Sequence, residues 1–468
     1  MKNIFDSLLN NKIFFIFFLC LIIYNINFHP IPSYDTIPAR LLPWNILESH
    51  NLYLDSFADA PFVSMPSFAL EEHGHYVSIF PIVLPVLITP LYVIPYFILK
   101  IVNIPISLGN PAFVTISLIV EKVSASVITS LSVVVLYLVL KKLISVRNAL
   151  FCSLVYAFAT CTWVISSQAL WQHGLGELLL CLILLILLMI TEKESISLYA
   201  LLGVLVALFA LNRPPDFVFL IPVFIFTALT KNIRKIFVFI TALLISASPF
   251  VLYNIINFGS LFGGYKINTV LLQVGTGNLV PFIGLLLSPN RGMFVFSPIL
   301  LFSVLGCWLI FKNKISLEPK IRTLFLLFAL CVPLNIFVYS SFSYWWGGEQ
   351  FGYRFLVGSL PVFALFLGFA IEYLWAIKSS RSSPARILFT VFLVWSIFVQ
   401  VCGAFYYYYD WDMKSGTYES INDNQARVWD YSDLQIFRGF SIEPNPVRLL
   451  IMKIHQNRGA SLNVTSSL

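Results

Sequence analysis

Apolar stretches of about 20 residues recur from residue 12 to residue 405, and no other feature constrains the fold as strongly. A helix needs roughly 20 apolar residues to cross the hydrocarbon of a bilayer. Inside lipid every backbone N–H and C=O must also find its partner within the protein, which leaves helices as the natural solution here. The segments at 12–29, 120–140, 148–167, 174–190, 197–211, 217–230, 236–256, 293–311, 323–340, 355–377 and 387–405 fit this description. The expectation is an all-α polytopic membrane protein with about 11 transmembrane helices. Composition excludes a water-soluble globule, since 59% of the 468 residues are hydrophobic, 11% are charged and the mean hydropathy is +0.86.

The segment 79–99 decides the topology. It carries Pro81, Pro85, Pro90 and Pro95, each of which removes a backbone donor, so it is expected to dip into or lie along the membrane on the outer side. Short inner loops then hold sixteen of the 29 lysines and arginines, against seven in outer segments and six after the last span. A full crossing by 79–99 would invert every later loop and reverse this positive-inside bias. The amino terminus is therefore expected inside and the carboxyl terminus outside. Lys2 and Lys12 precede the first apolar run without a small-residue cleavage site after it, which reads as a retained span. Residues 1–405 form the membrane module, residues 30–111 a long outer loop with juxtamembrane helices, and residues 406–468 a small outer tail.

This topology sends the unusual polar groups to one side. Asp35 follows the first span immediately, and arginines and histidines occupy other outer turns, an arrangement that suggests a reaction centre there. The inner side receives only short basic connectors, and no glycine-rich phosphate loop is present. The net charge of +7 is spread through loops and does not imply nucleic acid. All seven cysteines lie in hydrophobic stretches without metal-ligand spacing and read as packing residues. No internal repeat is evident. Asn463-Val464-Thr465 matches a glycosylation triplet.

Several short motifs occur in a suggestive order: Asp35 after the first span; His75-Tyr76-Val77-Ser78-Ile79-Phe80-Pro81; Leu170-Trp171-Gln172-His173; Asn212-Arg213-Pro214; Asn257-Phe258-Gly259 with Gly264-Tyr265; Ser288-Pro289-Asn290-Arg291-Gly292; and Trp345-Trp346-Gly347-Gly348-Glu349-Gln350-Phe351-Gly352-Tyr353-Arg354. Together they make nearly the whole chain resemble the multispan glycosyltransferases of the GT-C superfamily, which include protein O-mannosyltransferases and aminoarabinose transferases acting on lipid A. Many relatives carry a lysine just before the proline of the outer segment, where this chain has Ile79 and Phe80.

The resemblance implies transfer of a sugar from a polyprenyl-phosphate carrier to a protein, lipid or glycan acceptor on the extracytoplasmic face. Cations would stabilise the departing phosphate, and one carboxylate would suffice as base. Asp35 is the candidate base, its alternative being a cap for a helix over Thr36 to His50. Asp55 and Asp59 are reserve carboxylates. Arg213, Arg291 and Arg354 are candidates for the donor phosphate, since a guanidinium offers paired donors to phosphate oxygens. Asp216 is close enough in sequence to be merely the partner of Arg213. Lys122 is expected to pair with Glu121 or to face the phosphate. Tyr76, Trp171, His173, Tyr265, Trp345, Trp346 and Glu349 are candidate substrate contacts. The aromatic members are equally consistent with an interfacial belt. A divalent metal, which some GT-C enzymes use, would fall to His73, His75 and Asp35, although their spacing matches no recognised ligand set. Competing classes are a lipid-linked glycan flippase or solute transporter, which needs access to both faces, and a non-catalytic assembly subunit of the same fold.

Overall fold

Helices account for almost all regular structure in the computed structural model, which describes residues 2–58, 68–264, 279–376, 383–409, 411–412 and 419–439. Asp59, Tyr265 and the Asn463 triplet lie outside these described residues. In chain order the main helices are α1 (Lys2–Asn25), α2 (Ile37–Glu48), α3 (Val83–Ile101), α4 (Pro111–Leu140), α5 (Val146–Phe158), α6 (Gln172–Glu192), α7 (Ile196–Asn212), α8 (Ile221–Ala228), α9 (Ile233–Phe258), α10 (Leu279–Leu287), α11 (Leu301–Phe311), α12 (Pro319–Ser340), α13 (Leu360–Ala376) and α14 (Ser383–Tyr406). Among the described residues, seven helical segments are long and apolar enough to cross a membrane, those of α3, α4, α6, α9, α12, α13 and α14, the marks of an integral membrane protein. Five shorter apolar helices, Lys12–Asn25, Val146–Phe158, Ile196–Asn212, Pro214–Ala228 and Pro298–Phe311, lie in the other segments read as spans.

Small residues let these helices approach one another. A Cβ on Gly203 of α7 would sit 2.3 Å from the Phe239 carbonyl of α9, and one on Gly306 of α11 would sit 1.8 Å from the Phe366 carbonyl of α13. Association in lipid depends on such close packing because apolar side chains gain little by leaving hydrocarbon. α13 is the most enclosed span, whereas α9 turns most of its surface outward.

The bundle has two distinct ends. At one, Lys142 beside the α4–α5 connector pairs with Glu192 at the end of α6 (2.6 Å), and Lys235 of α9 pairs with Glu194. Glu372 of α13 accepts from Ser145 Oγ (2.7 Å) and Asn148 Nδ2 (2.7 Å), fixing the start of α5. At the other end, the chain leaving α1 turns through Tyr34–Thr36 into α2.

α3, long and apolar enough to cross, packs against elements of that second end. Trp44 of α2 packs edge-on against Tyr92 of α3 (5.0 Å) and Phe113 of α4 (5.4 Å), and Lys100 near the end of α3 binds Glu48 at the end of α2 (2.6 Å). Its approach, Phe80 and Pro81, lines a small crevice with Leu211 and Pro214 after α7 and Phe258 of α9. The start of α3 thus lies near the ends of α7 and α9, and its end near the end of α2. The helix continues through Pro90 and Pro95, while Thr89 Oγ1 donates to the Pro85 carbonyl (2.8 Å).

One departure from the all-α expectation precedes α3. Ala69–Glu72 and His75–Ser78 pair antiparallel as β1 and β2, with Glu72 opposite His75. The turn residues His73 (φ 54°) and Gly74 (φ 80°) both adopt left-handed backbone, the geometry that a two-residue hairpin demands.

Candidate active site

Asp35 sits in the short turn between α1 and α2, which is locked locally: Ser33 N–H donates to Thr36 Oγ1 (3.2 Å), and Thr36 Oγ1 donates to the Ser33 carbonyl (3.0 Å). The helix that follows begins at Ile37 with Thr36 as its cap, and the Asp35 carboxylate points elsewhere. Its Oδ2 accepts from Arg354 Nη1 at 2.8 Å. The aspartate remains one-third exposed whereas Arg354 is only 11% exposed, so the carboxylate forms the accessible member of the pair.

Arg354 is aimed by the loop before it. Gly347, Gly348 and Gly352 have φ of 83°, 75° and 67°, values that side chains with a Cβ rarely adopt, and they fold the Trp345–Tyr353 stretch back upon itself. The guanidinium then lies over the Trp171 ring (4.7 Å) and the Phe355 ring (5.3 Å). Arg213, at the end of α7, lies over the same Phe355 ring (5.8 Å). It contacts Asp216 at 3.2 Å and donates to the Tyr339 hydroxyl at 2.9 Å. Tyr339 and Asn335 of α12 in turn donate to Asp216 Oδ1 at 2.8 and 3.1 Å. Asp216 is therefore the buried partner of Arg213, as the sequence spacing allowed.

His173, in the first turn of α6, is buried next to Trp171 (ring centroids 6.1 Å apart), and both Arg213 and Arg354 are near enough for their charges to act on it. Neither ring nitrogen has a hydrogen-bond partner among the described residues. Two guanidiniums, each already paired with a carboxylate, and an unsatisfied imidazole thus surround the Trp171 and Phe355 rings.

A second carboxylate approaches from α4. Glu121 is wholly buried, accepts from the Leu170 N–H (3.3 Å) and lies 3.7 Å from Arg40 of α2. Thr36, the neighbour of Asp35, also reaches it. The Arg40–Glu121 pair was not anticipated; its only sequence trace is an arginine five residues after Asp35 in a helix that returns along α4. Glu121 and Lys122 do not satisfy each other, because adjacent helical positions point about 100° apart. Lys122 instead donates to Asn27 Oδ1 (2.8 Å), the His29 carbonyl (2.8 Å) and Gln168 Oε1 (2.6 Å), so its three ammonium protons tie α4 to the segment after α1 and to the segment before α6.

Arg291 is likewise placed away from this cluster. It is fully buried, and its five N–H donors are taken by the carbonyls of Trp346, Asn290 and Gly348, by Gln435 Oε1 and by Asp412 Oδ1. The Ser288–Gly292 motif serves the tail: Asn290 Nδ2 donates to the carbonyls of Arg427 and Asp430, each at 2.9 Å. Trp345 and Trp346 are buried, Trp345 against Gly284 and Trp346 with its indole N–H on Asn422 (3.3 Å), so they pack the loop and offer no open face to a sugar. Glu349 accepts from Asn422 Nδ2 (3.1 Å); partial burial, with the Asp412 charge nearby, pushes its carboxyl above the usual range. Tyr76 lies in β2, where its N–H donates to Asp55 Oδ1 (2.6 Å).

The proposed metal ligands also separate. His73 forms the hairpin turn, and His75 Nδ1 bonds Asp55 Oδ2 (2.7 Å) while its ring stacks on Tyr53 (4.1 Å). Asp55 is thus occupied in holding the hairpin. Among the described residues no three His, Cys, Asp or Glu side chains gather as a metal ligand set. Tyr409, whose hydroxyl donates to the Pro32 carbonyl, brings the end of α14 over the Asp35 turn. No protein-family model matches the chain, and no curated protein matches it.

Proposed function

We propose that this protein is a membrane glycosyltransferase that moves a sugar from a polyprenyl-phosphate donor to an acceptor on the extracytoplasmic face, with Asp35 as general base. In this reading the five shorter apolar helices join six of the long ones to give eleven crossings of GT-C type, the amino terminus is cytoplasmic, and α2, α3 and the hairpin form the outer rim. The observation that carries the reading is the contact of Asp35 with Arg354, beside Arg213 and His173.

The chemistry follows from that arrangement. Asp35 accepts the proton of the acceptor hydroxyl or amine as that atom attacks the anomeric carbon. The bond from the anomeric carbon to the phosphate oxygen breaks, and its electron pair leaves with the polyprenyl phosphate. Charge therefore grows on phosphate oxygens, where Arg354 and Arg213 stabilise it. Arg354 also orients the Asp35 carboxylate before the acceptor arrives. One carboxylate acting as base suits transfer with an already anionic leaving group, whereas glycoside hydrolysis usually employs two facing carboxyl groups.

The test is incubation of the purified protein in lipid with a panel of polyprenyl-phosphate sugars and crude cell-surface acceptors, with released polyprenyl phosphate as readout. Acceptor-dependent release from one donor is expected. Movement of the intact lipid-linked sugar between leaflets without release would overturn the reading in favour of a flippase.

A further inference from the structure

A cleft of about 330 Å³ opens at the end of the bundle remote from Asp35, between the end of α6, the start of α7, the end of α8 and the start of α12. None of the residues discussed above as reacting groups lines it. Its depth is apolar, formed by Ile190, Phe226, Leu324 and Leu327, and Lys320 and Thr323 stand on the wall contributed by α12. The volume lies within the range of roughly 300–1,000 Å³ that ligand clefts occupy.

Two observations define the occupant. Leu229 on the lining is 74% exposed and Ile225 37%, so the cleft opens sideways to hydrocarbon as well as towards the basic connectors. Those connectors, residues 192–194, 231–235 and 318–322, contain six cations against three carboxylates. The Glu194 carboxylate at the rim is already held by Lys235. Lys320 is the one cation on the lining itself, and the one lining carboxylate, Glu194, is answered by Lys235, so an apolar slot with a cation at its mouth fits a molecule with a hydrocarbon chain and an anionic head. We infer that this cleft binds an anionic phospholipid of the adjacent leaflet, one acyl chain lying between α6, α8 and α12 and the phosphate at Lys320. A zwitterionic lipid would leave the excess positive charge unanswered, and a free phosphate would leave the apolar depth unfilled.

Native mass spectrometry of the full-length protein, released from vesicles containing equal phosphatidylglycerol and phosphatidylcholine, tests this directly. One retained phosphatidylglycerol is expected on the wild type. Lys320→Gln should weaken retention about 5-fold, the effect of one interfacial cation of about 1 kcal/mol. Thr323→Trp should fill the slot and abolish retention, while Lys314→Gln, in the α11–α12 connector but outside the cleft lining, should leave it unchanged. Circular dichroism checks that each variant is folded, and retention is compared only among folded ones. Equal retention of the two lipids, equal retention by Lys320→Gln and Thr323→Trp, or displacement of the lipid by inorganic phosphate at millimolar concentration would each overturn the assignment.

Discussion

Arg354 reaches across 319 residues of sequence to place Nη1 2.8 Å from Asp35 Oδ2, joining the turn after the first helix to the glycine-rich loop before α13. A partly exposed pair of this kind contributes at most about 1 kcal/mol to stability. Its value lies in orientation. Arg354→Gln is expected to leave the protein folded while lowering kcat/KM by about 100-fold or more, the scale seen when a preorganised charge-stabilising donor is lost. Arg354→Lys should recover little, because an ammonium cannot reproduce the planar fork over Trp171. Thermal midpoint and turnover, measured on the same preparations, separate the two effects.

His173→Phe offers a complementary case. Its imidazole is buried beside two guanidiniums without a hydrogen-bond partner among the described residues, so an apolar ring of similar shape should leave stability unchanged or slightly raised. If the imidazole meets the donor phosphate, turnover should still fall about 10-fold. Unchanged turnover together with raised stability would remove His173 from the site.

The tail makes a prediction about folding alone. Arg291 and Asp412 form a buried pair, and burial pushes the Asp412 carboxyl up while the Arg291 charge pulls it down. Arg291→Met leaves that carboxylate without its cation, a change that typically costs about 3–5 kcal/mol. Increased proteolysis within residues 419–439 should appear first, because Arg291 and Asn290 bind Arg427, Asp430 and Gln435 there.

Glu48 supplies a pH dependence. Its hydrogen bond to Lys100 holds its carboxyl below the usual range, with a smaller contribution from Tyr96. A group whose pKa is lowered by folding stabilises the fold above its unfolded pKa and loses that contribution as pH falls through the folded value. The difference in thermal midpoint between wild type and Glu48→Gln should therefore be present at neutral pH, shrink below the ordinary glutamate range and vanish at lower pH. A difference that instead grew on acidification would contradict the contact.

The long apolar helices were legible because lipid imposes a simple length rule, and Asp35 and Arg354, which the structure brings into contact, were both singled out as charged groups flanking apolar segments on one side of the expected topology. Two kinds of information were not. Local pattern alone cannot tell which arginine is enclosed: Arg291 and Arg354 both flank glycine-containing turns, yet one has every donor taken within the tail interface and the other faces Asp35. Nor does adjacency reveal direction, as Glu121 and Lys122 show by turning to Arg40 and to the Asn27–Gln168 pair respectively. The hairpin at His73-Gly74 did carry a signal, a glycine in a two-residue turn flanked by strand-like alternation, but its histidines drew attention as metal ligands instead.

The most direct test is single-turnover release of polyprenyl phosphate by wild type and Asp35→Asn in lipid, with folding checked by thermal midpoint. Wild-type release with a loss of about 100-fold to 10,000-fold in the folded variant is the predicted result, the range for a positioned general base. Equal release by both proteins would contradict the assignment of Asp35, and its role would pass to another group.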